Sequence, residues 1–123
     1  MTAITRLGTV IVPVSDQDRA LEFFVETLGF ETRIDGEFAE GQRWLEVAPP
    51  GADTTIALVP AQGAGPGEME VSLATRDADT DHAALLAAGV DADAEVMRMG
   101  DYVPPMFTFR DPDGNRFRMV QRD

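Results

Sequence analysis

The chain has 123 residues, 44% of them hydrophobic, no cysteine and a formal net charge of −12. That length suits one domain with a real core and is short for two ordinary ones, while the lack of cysteine excludes disulfides, thiolate metal sites and a cysteine nucleophile. The acidic balance argues against nucleic acid or an anionic membrane as partner, because both would be repelled over much of the surface. No apolar run is long enough to span a bilayer, and no basic region followed by an apolar block marks a secretory signal. A cytoplasmic location is the expectation.

In chain order, Val10, Val12 and Val14 alternate and predict a strand with one apolar face. Ser15 or Asp16 can cap the helix that follows, with Asp18 in its first turn where the dipole favours a carboxylate. Ala20, Phe23, Phe24, Thr27 and Leu28 recur at helical spacing, and Gly29 can end the helix in a left-handed conformation. Three strands are then expected: Phe30–Ile34 before an Asp35-Gly36 turn, Arg43–Val47 before Pro49-Pro50-Gly51, and Thr54–Val59 before Pro60. Residues 61–67, rich in Gly, Ala, Pro and Gln, read as a linker.

The pattern then repeats. Met69–Ala74 predicts a strand, Asp77 a cap, and Ala78, Leu85 and Leu86 a helical stripe, with Ala88-Gly89-Val90 mirroring Leu28-Gly29-Phe30. Strands are expected at Ala92–Met97, Tyr102–Arg110 and Asn115–Gln121, the last two joined by the turn Asp111-Pro112-Asp113-Gly114-Asn115. The fold class is therefore α+β: two tandem βαβββ units, 1–60 and 68–123, within a single domain.

Val14-Ser15-Asp16, the helix from Ala20 to Phe24 and Leu28-Gly29-Phe30 resemble the opening unit of the vicinal oxygen chelate superfamily, which includes glyoxalase I, bleomycin-resistance proteins and extradiol dioxygenases. Phe24 stands where a tyrosine is common. Asp111-Pro112-Asp113-Gly114-Asn115 matches the Asp-Pro-x-Gly-Asn signature near the end of many members. The resemblance implies a mixed sheet curved into a ligand-holding cup, and a homodimer.

Alternation assigns Val10, Val12, Val14, Leu45, Val47, Ile56, Leu58, Val71, Leu73, Phe107, Phe109, Phe117 and Met119 to the core face. Thr9, Ile11, Trp44, Glu46, Ala57, Glu70, Ser72, Met106, Thr108, Arg116 and Arg118 fall on the opposite face. Met97, Met99 and Met106 read as packing residues. From the second face and the loop carrying Tyr102, the expected ligand pocket comprises Thr9, Trp44, Glu46, Glu70, Ser72, Tyr102, Met106, Arg116 and Arg118. His82, the sole histidine, reads as a surface residue of the second helix.

Relatives that do chemistry hold a divalent metal, Zn, Ni, Mn or Fe, through His, Gln or Glu on the first and last strand of each unit. By that resemblance the ligand positions here fall on Thr9, Ala57, Glu70 and Arg118. Only Glu70 suits a metal; a guanidinium at the last position repels one. The expectation is no metal cofactor, a Glu70–Arg118 ion pair, and capture of a small oxygen-rich or anionic molecule, as bleomycin-resistance proteins capture theirs. Trp44 or Tyr102 would stack on the guest and Arg116 or Arg118 would pair with it. The alternatives are a glyoxalase-like lyase or isomerase, or a dioxygenase, using an atypical set such as Glu70 with Glu46, and an interaction domain whose cup its own side chains fill.

Overall fold

The structure is a computed structural model that describes residues 2–61, 67 and 69–122. The chain forms two compact units, Met1–Gly65 and Pro66–Asp123. Apart from Ala61 and Gly67, the expected linker 61–67 lies outside the described residues.

Unit one contains β1 (Thr9–Val14), α1 (Gln17–Glu22), β2 (Glu31–Ala39), β3 (Gln42–Ala48) and β4 (Thr55–Pro60). Its sheet has the order β1-β4-β3-β2, with β1 parallel to β4 and the other pairs antiparallel. Asp16 caps α1, its carboxylate accepting from the Arg19 amide at 3.1 Å. The helix then widens into a π turn over Phe23–Thr27, where the Leu28 amide donates to the Phe23 carbonyl five residues back. This corrects the single α-helix expected from spacing. The wider turn leaves Thr27 exposed, outside the apolar stripe, while Phe24 stays fully buried with Ala20, Val12, Val14, Leu45, Val47, Ile56 and Leu58.

The expected turn at Asp35-Gly36 is also corrected: β2 runs through it. Asp35 pairs with Leu45 and Gly36 with Trp44 across the ladder. The Asp35 carboxylate is clamped by Arg43 at 2.8 and 2.9 Å, a fork that holds the dipeptide extended. The chain reverses instead at Glu40-Gly41.

Unit two contains β5 (Glu70–Thr75), α2 (Ala78–Ala87), β6 (Asp91–Ala92), β7 (Met106–Arg110) and β8 (Arg116–Gln121). Its order, β5-β8-β7-β6 with β5 parallel to β8, repeats that of unit one. Asp77 caps α2, accepting from the Thr80 amide at 3.0 Å, and that bond holds its carboxyl below the usual range. Two strand expectations shrink. Ala92–Met97 becomes a two-residue β6 and one isolated bridge, Met97 to Met106. The strand expected from Tyr102 begins at Met106, because Pro104 and Pro105 have no N–H for the ladder.

Phe107, Phe109 and Phe117 form the core of this unit, with Phe109 and Phe117 stacked at 5.4 Å, while Val120 is buried on the opposite face of β8 beside Met106. Ala78 and Leu85 seat the helix; Leu86, expected beside them, is exposed, as are Met97 and Met99. Val10, Val71, Leu73 and Met119 are only half-buried. His82 is half-buried too, its Nε2 lying 2.7 Å from the Asp93 carbonyl and its ring edge-on to Phe107, a more engaged position than a surface residue takes.

The hairpin between β7 and β8 is built on two buried polar side chains, Asp111 and Asn115. Asp111 Oδ1 accepts from the amides of Asp113 and Asn115 at 3.0 and 2.9 Å, and Oδ2 accepts from Asn115 Nδ2 at 2.9 Å. Asn115 Oδ1 in turn accepts from the Gly67 amide at 2.9 Å. The Asp-Pro-x-Gly-Asn pattern is thus a folding device: it satisfies buried backbone donors at the turn.

Candidate functional site

Each unit presents one set of the expected pocket residues. In unit one, parallel pairing sets Thr9 beside Thr55, their hydroxyls 2.8 Å apart. Trp44 and Glu46 stand two residues apart on one face of β3. Trp44 Nε1 donates to Glu46 Oε2 and Thr55 Oγ1 donates to Glu46 Oε1, both at 2.6 Å. Thr55, which is 8% exposed, therefore links Thr9 to Glu46, and Glu46 holds Trp44 directly.

A recess of about 460 Å³ opens on this unit, walled by Phe38, Trp44, Gln17 and Arg43. Phe38 stands edge-on to Trp44 at 6.3 Å and is itself exposed. Gln17 Nε2 bridges the carbonyls of Arg43 and Leu58 at 3.2 and 2.9 Å. Arg43 is committed to Asp35 and, at 2.7 Å, to Asp18. Hydrogen bonding to Asp35 foremost pushes its pKa above the ordinary arginine value, and the same bond lowers that of Asp35.

In unit two, β8 lies between β5 and β7, with Arg118 opposite Ser72 on one side and Thr108 on the other. Glu70, Ser72, Met106 and Arg118 line a recess of about 360 Å³ together with Pro104, Val120 and Arg122. Arg118 donates to Glu70 Oε1 at 2.8 Å, so the ion pair expected from sequence is formed. Both side chains are over two-fifths exposed, and such a pair contributes ~0–1 kcal/mol to stability. Its effect is on the charge and shape of the recess. Arg122 has no ion-pair partner among the described residues.

Tyr102 and Arg116 do not join these groups. Tyr102 is 100% exposed in the loop before β7, and Arg116 is exposed at the start of β8, outside the lining of either recess. Ala57, expected on the pocket face, is fully buried. The structure adds Thr55, Phe38 and Gln17 in unit one and Pro104, Val120 and Arg122 in unit two. Val120 and Arg122 continue the every-second-residue series of Arg116 and Arg118, so alternation could have found them. Pro104 arrives on an irregular loop that no periodicity marks.

The positions where relatives carry metal ligands hold, in unit one, a hydroxyl and a methyl, and in unit two a carboxylate paired with a guanidinium. That donor set does not fit a divalent cation. No group of three or more His, Cys, Asp or Glu able to hold a metal ion occurs among the described residues. Nor is any helix among them long and apolar enough to cross a membrane.

Two βαβββ copies, each folding a four-stranded mixed sheet, define the duplicated α+β class to which glyoxalases and bleomycin-resistance proteins conform. Residues 6–119 match the Glyoxalase/Bleomycin resistance protein/Dioxygenase superfamily, and the chain belongs to it. It is 34% identical to the uncharacterized protein YetH of Bacillus subtilis (strain 168), over 96% of this chain and 99% of that protein. It resembles TnmS3, an antibiotic binding protein from Streptomyces sp. CB03234, with a TM-score of 0.87 and 38% identity over the whole of both chains. A member of the same superfamily from Sphaerobacter thermophilus superposes with a TM-score of 0.89 at 35% identity, covering 98% of this chain and all of that one.

Proposed function

We propose that the chain is a metal-free binding protein that captures a small oxygen-rich or anionic molecule, and that it works as a homodimer. The observation that carries this reading is the Glu70–Arg118 pair inside the unit-two recess, where relatives place acidic or neutral metal ligands. Arg118 has one carboxylate partner and spare N–H groups, Arg122 adds a second guanidinium, and Ser72 a hydroxyl. Pro104, Met106 and Val120 supply an apolar wall against which a guest loses water. The likeness to an antibiotic binding protein over the whole chain supports the same reading.

The test is titration with a panel of anionic and oxygen-rich antibiotics, followed by calorimetry on any that bind. Arg118→Met is expected to weaken binding by about ten-fold or more, the loss of a charge-assisted hydrogen bond, and to leave thermal stability nearly unchanged. Stoichiometric Zn, Ni, Mn or Fe is expected to give no thermal stabilisation. A metal that binds at one equivalent and stabilises the fold would restore the lyase or dioxygenase reading. Light scattering is expected to give twice the chain mass of 13.3 kDa.

A further inference from the structure

The unit-two recess has two polar ends and an apolar middle. Arg118, Val120 and Arg122 share its face, because the Arg122 amide donates to the Thr75 carbonyl at 2.7 Å and carries the β8 ladder past Gln121. Val120 lies midway between the two arginines, whose Cα atoms stand about 13 Å apart at strand spacing. It is 3% exposed, and Met106 pairs with it across the ladder. The Gln121 amide donates to the Pro105 carbonyl at 3.0 Å, which fixes the neighbouring Pro104 in the wall.

The two ends differ in charge. At one, Glu70 balances Arg118 at 2.8 Å. At the other, Arg122 has no ion-pair partner among the described residues. Two guanidiniums against one carboxylate leave the lining with a single unbalanced positive charge, in a chain of net charge −12.

We infer that the recess selects monoanionic amphiphiles, with one carboxylate on Arg122, an apolar body against Val120, Met106 and Pro104, and an uncharged far end at the Arg118–Glu70 pair. Glu70 is the specificity-determining residue. A second anionic group on a guest of the same length comes to rest beside its carboxylate, and that repulsion excludes dianions. The inference rests on the binding reading above and narrows its guest to molecules with a single negative charge and an apolar body.

The probes are octanoate and octanedioate, which share an eight-carbon chain and differ by one carboxylate. Calorimetry at pH 7 gives the ratio of affinities, and the NMR amide shifts of Ser72 and Val120 report binding in the recess. The native protein is expected to prefer octanoate about ten-fold. Glu70→Gln removes the charge but leaves an oxygen to accept from Arg118, and is expected to bring the ratio to one or invert it. Arg122→Met is expected to weaken octanoate about ten-fold, the loss of a charge-assisted hydrogen bond. Glu26→Gln removes the same charge from an exposed residue that lines neither recess, and is expected to keep the native ratio. It separates the local effect of Glu70 from the net charge of the chain.

No octanoate binding, octanedioate bound as tightly by the native protein, a native ratio kept by Glu70→Gln or lost in Glu26→Gln, or octanoate affinity untouched by Arg122→Met each overturn the proposal. If Arg118-dependent binding of an antibiotic from the panel persists in that event, this inference alone fails; if that binding is absent too, the function reading falls with it.

Discussion

Asp111 and Asn115 show what two side chains can decide. Asn115 is wholly buried and serves a carboxylate on one side and the Gly67 amide on the other. Asn115→Ala takes a donor from the buried Asp111 carboxylate and the acceptor from the half-buried Gly67 amide, and a loss of about 1–3 kcal/mol is expected from chemical denaturation. Asp111 adds a pH signature. Burial raises its pKa above 3.8, against the opposing bonds from Asn115 and Asp113. A raised carboxylate favours the fold most below the unfolded pKa, and that advantage declines as pH climbs through the folded value. Asp77 and Asp35 run the other way: their lowered values give stability above 3.8 that is lost as pH falls through the folded pKa. A Asp111→Asn variant isolates the first effect. Its difference from the native protein is expected to narrow as pH rises from 3.8 upward; a widening gap in urea melts would refute the assignment.

At the scale of elements, the caps and stops were legible because local chemistry fixes them. Asp16 and Asp77 each bond the amide three residues on, and Gly29 and Gly89 both take φ +79 at the helix ends. An added Cβ at either glycine meets nothing within 4 Å, so only the backbone conformation opposes a side chain. Gly29→Ala and Gly89→Ala are each expected to cost about 1–2 kcal/mol. Gly36 is the control. It lies inside β2 without a positive φ and has equal room, so Gly36→Ala is expected to be neutral or slightly stabilising. Equal losses at all three would mean that strain is not the cause. The π turn and the truncated β6 were not legible. The first depends on how Phe24 reaches the core past Phe23 and Phe30, and the second on which loop residues find a partner strand.

For the molecule as a whole, duplication was the legible fact, and the site was legible only as far as strand alternation reaches. Counting by twos placed Glu70, Ser72, Met106 and Arg118 on one recess, and picked out Thr9 and Glu46, which Thr55 joins. It could not bring in Phe38 or Pro104, whose places depend on a strand extended past its expected turn and on a loop path. Net charge is the whole-molecule property with the clearest consequence. At −12, the exposed ion pairs such as Arg98–Asp79 cannot balance a large acidic excess. Salt weakens both the attractions and the repulsions, and the two respond with opposite sign. Each exposed pair is worth ~0–1 kcal/mol, whereas unpaired carboxylates repel one another collectively across the surface. Repulsion should therefore dominate. Raising sodium chloride from ~10 mM to ~150 mM, where the screening length falls from about 30 Å to about 8 Å, is expected to raise the melting temperature at pH 7 by a few degrees. A melting temperature that falls over that range would mean the ion pairs, Arg43 with Asp18 and Asp35 foremost, hold the fold more strongly than the acidic excess strains it.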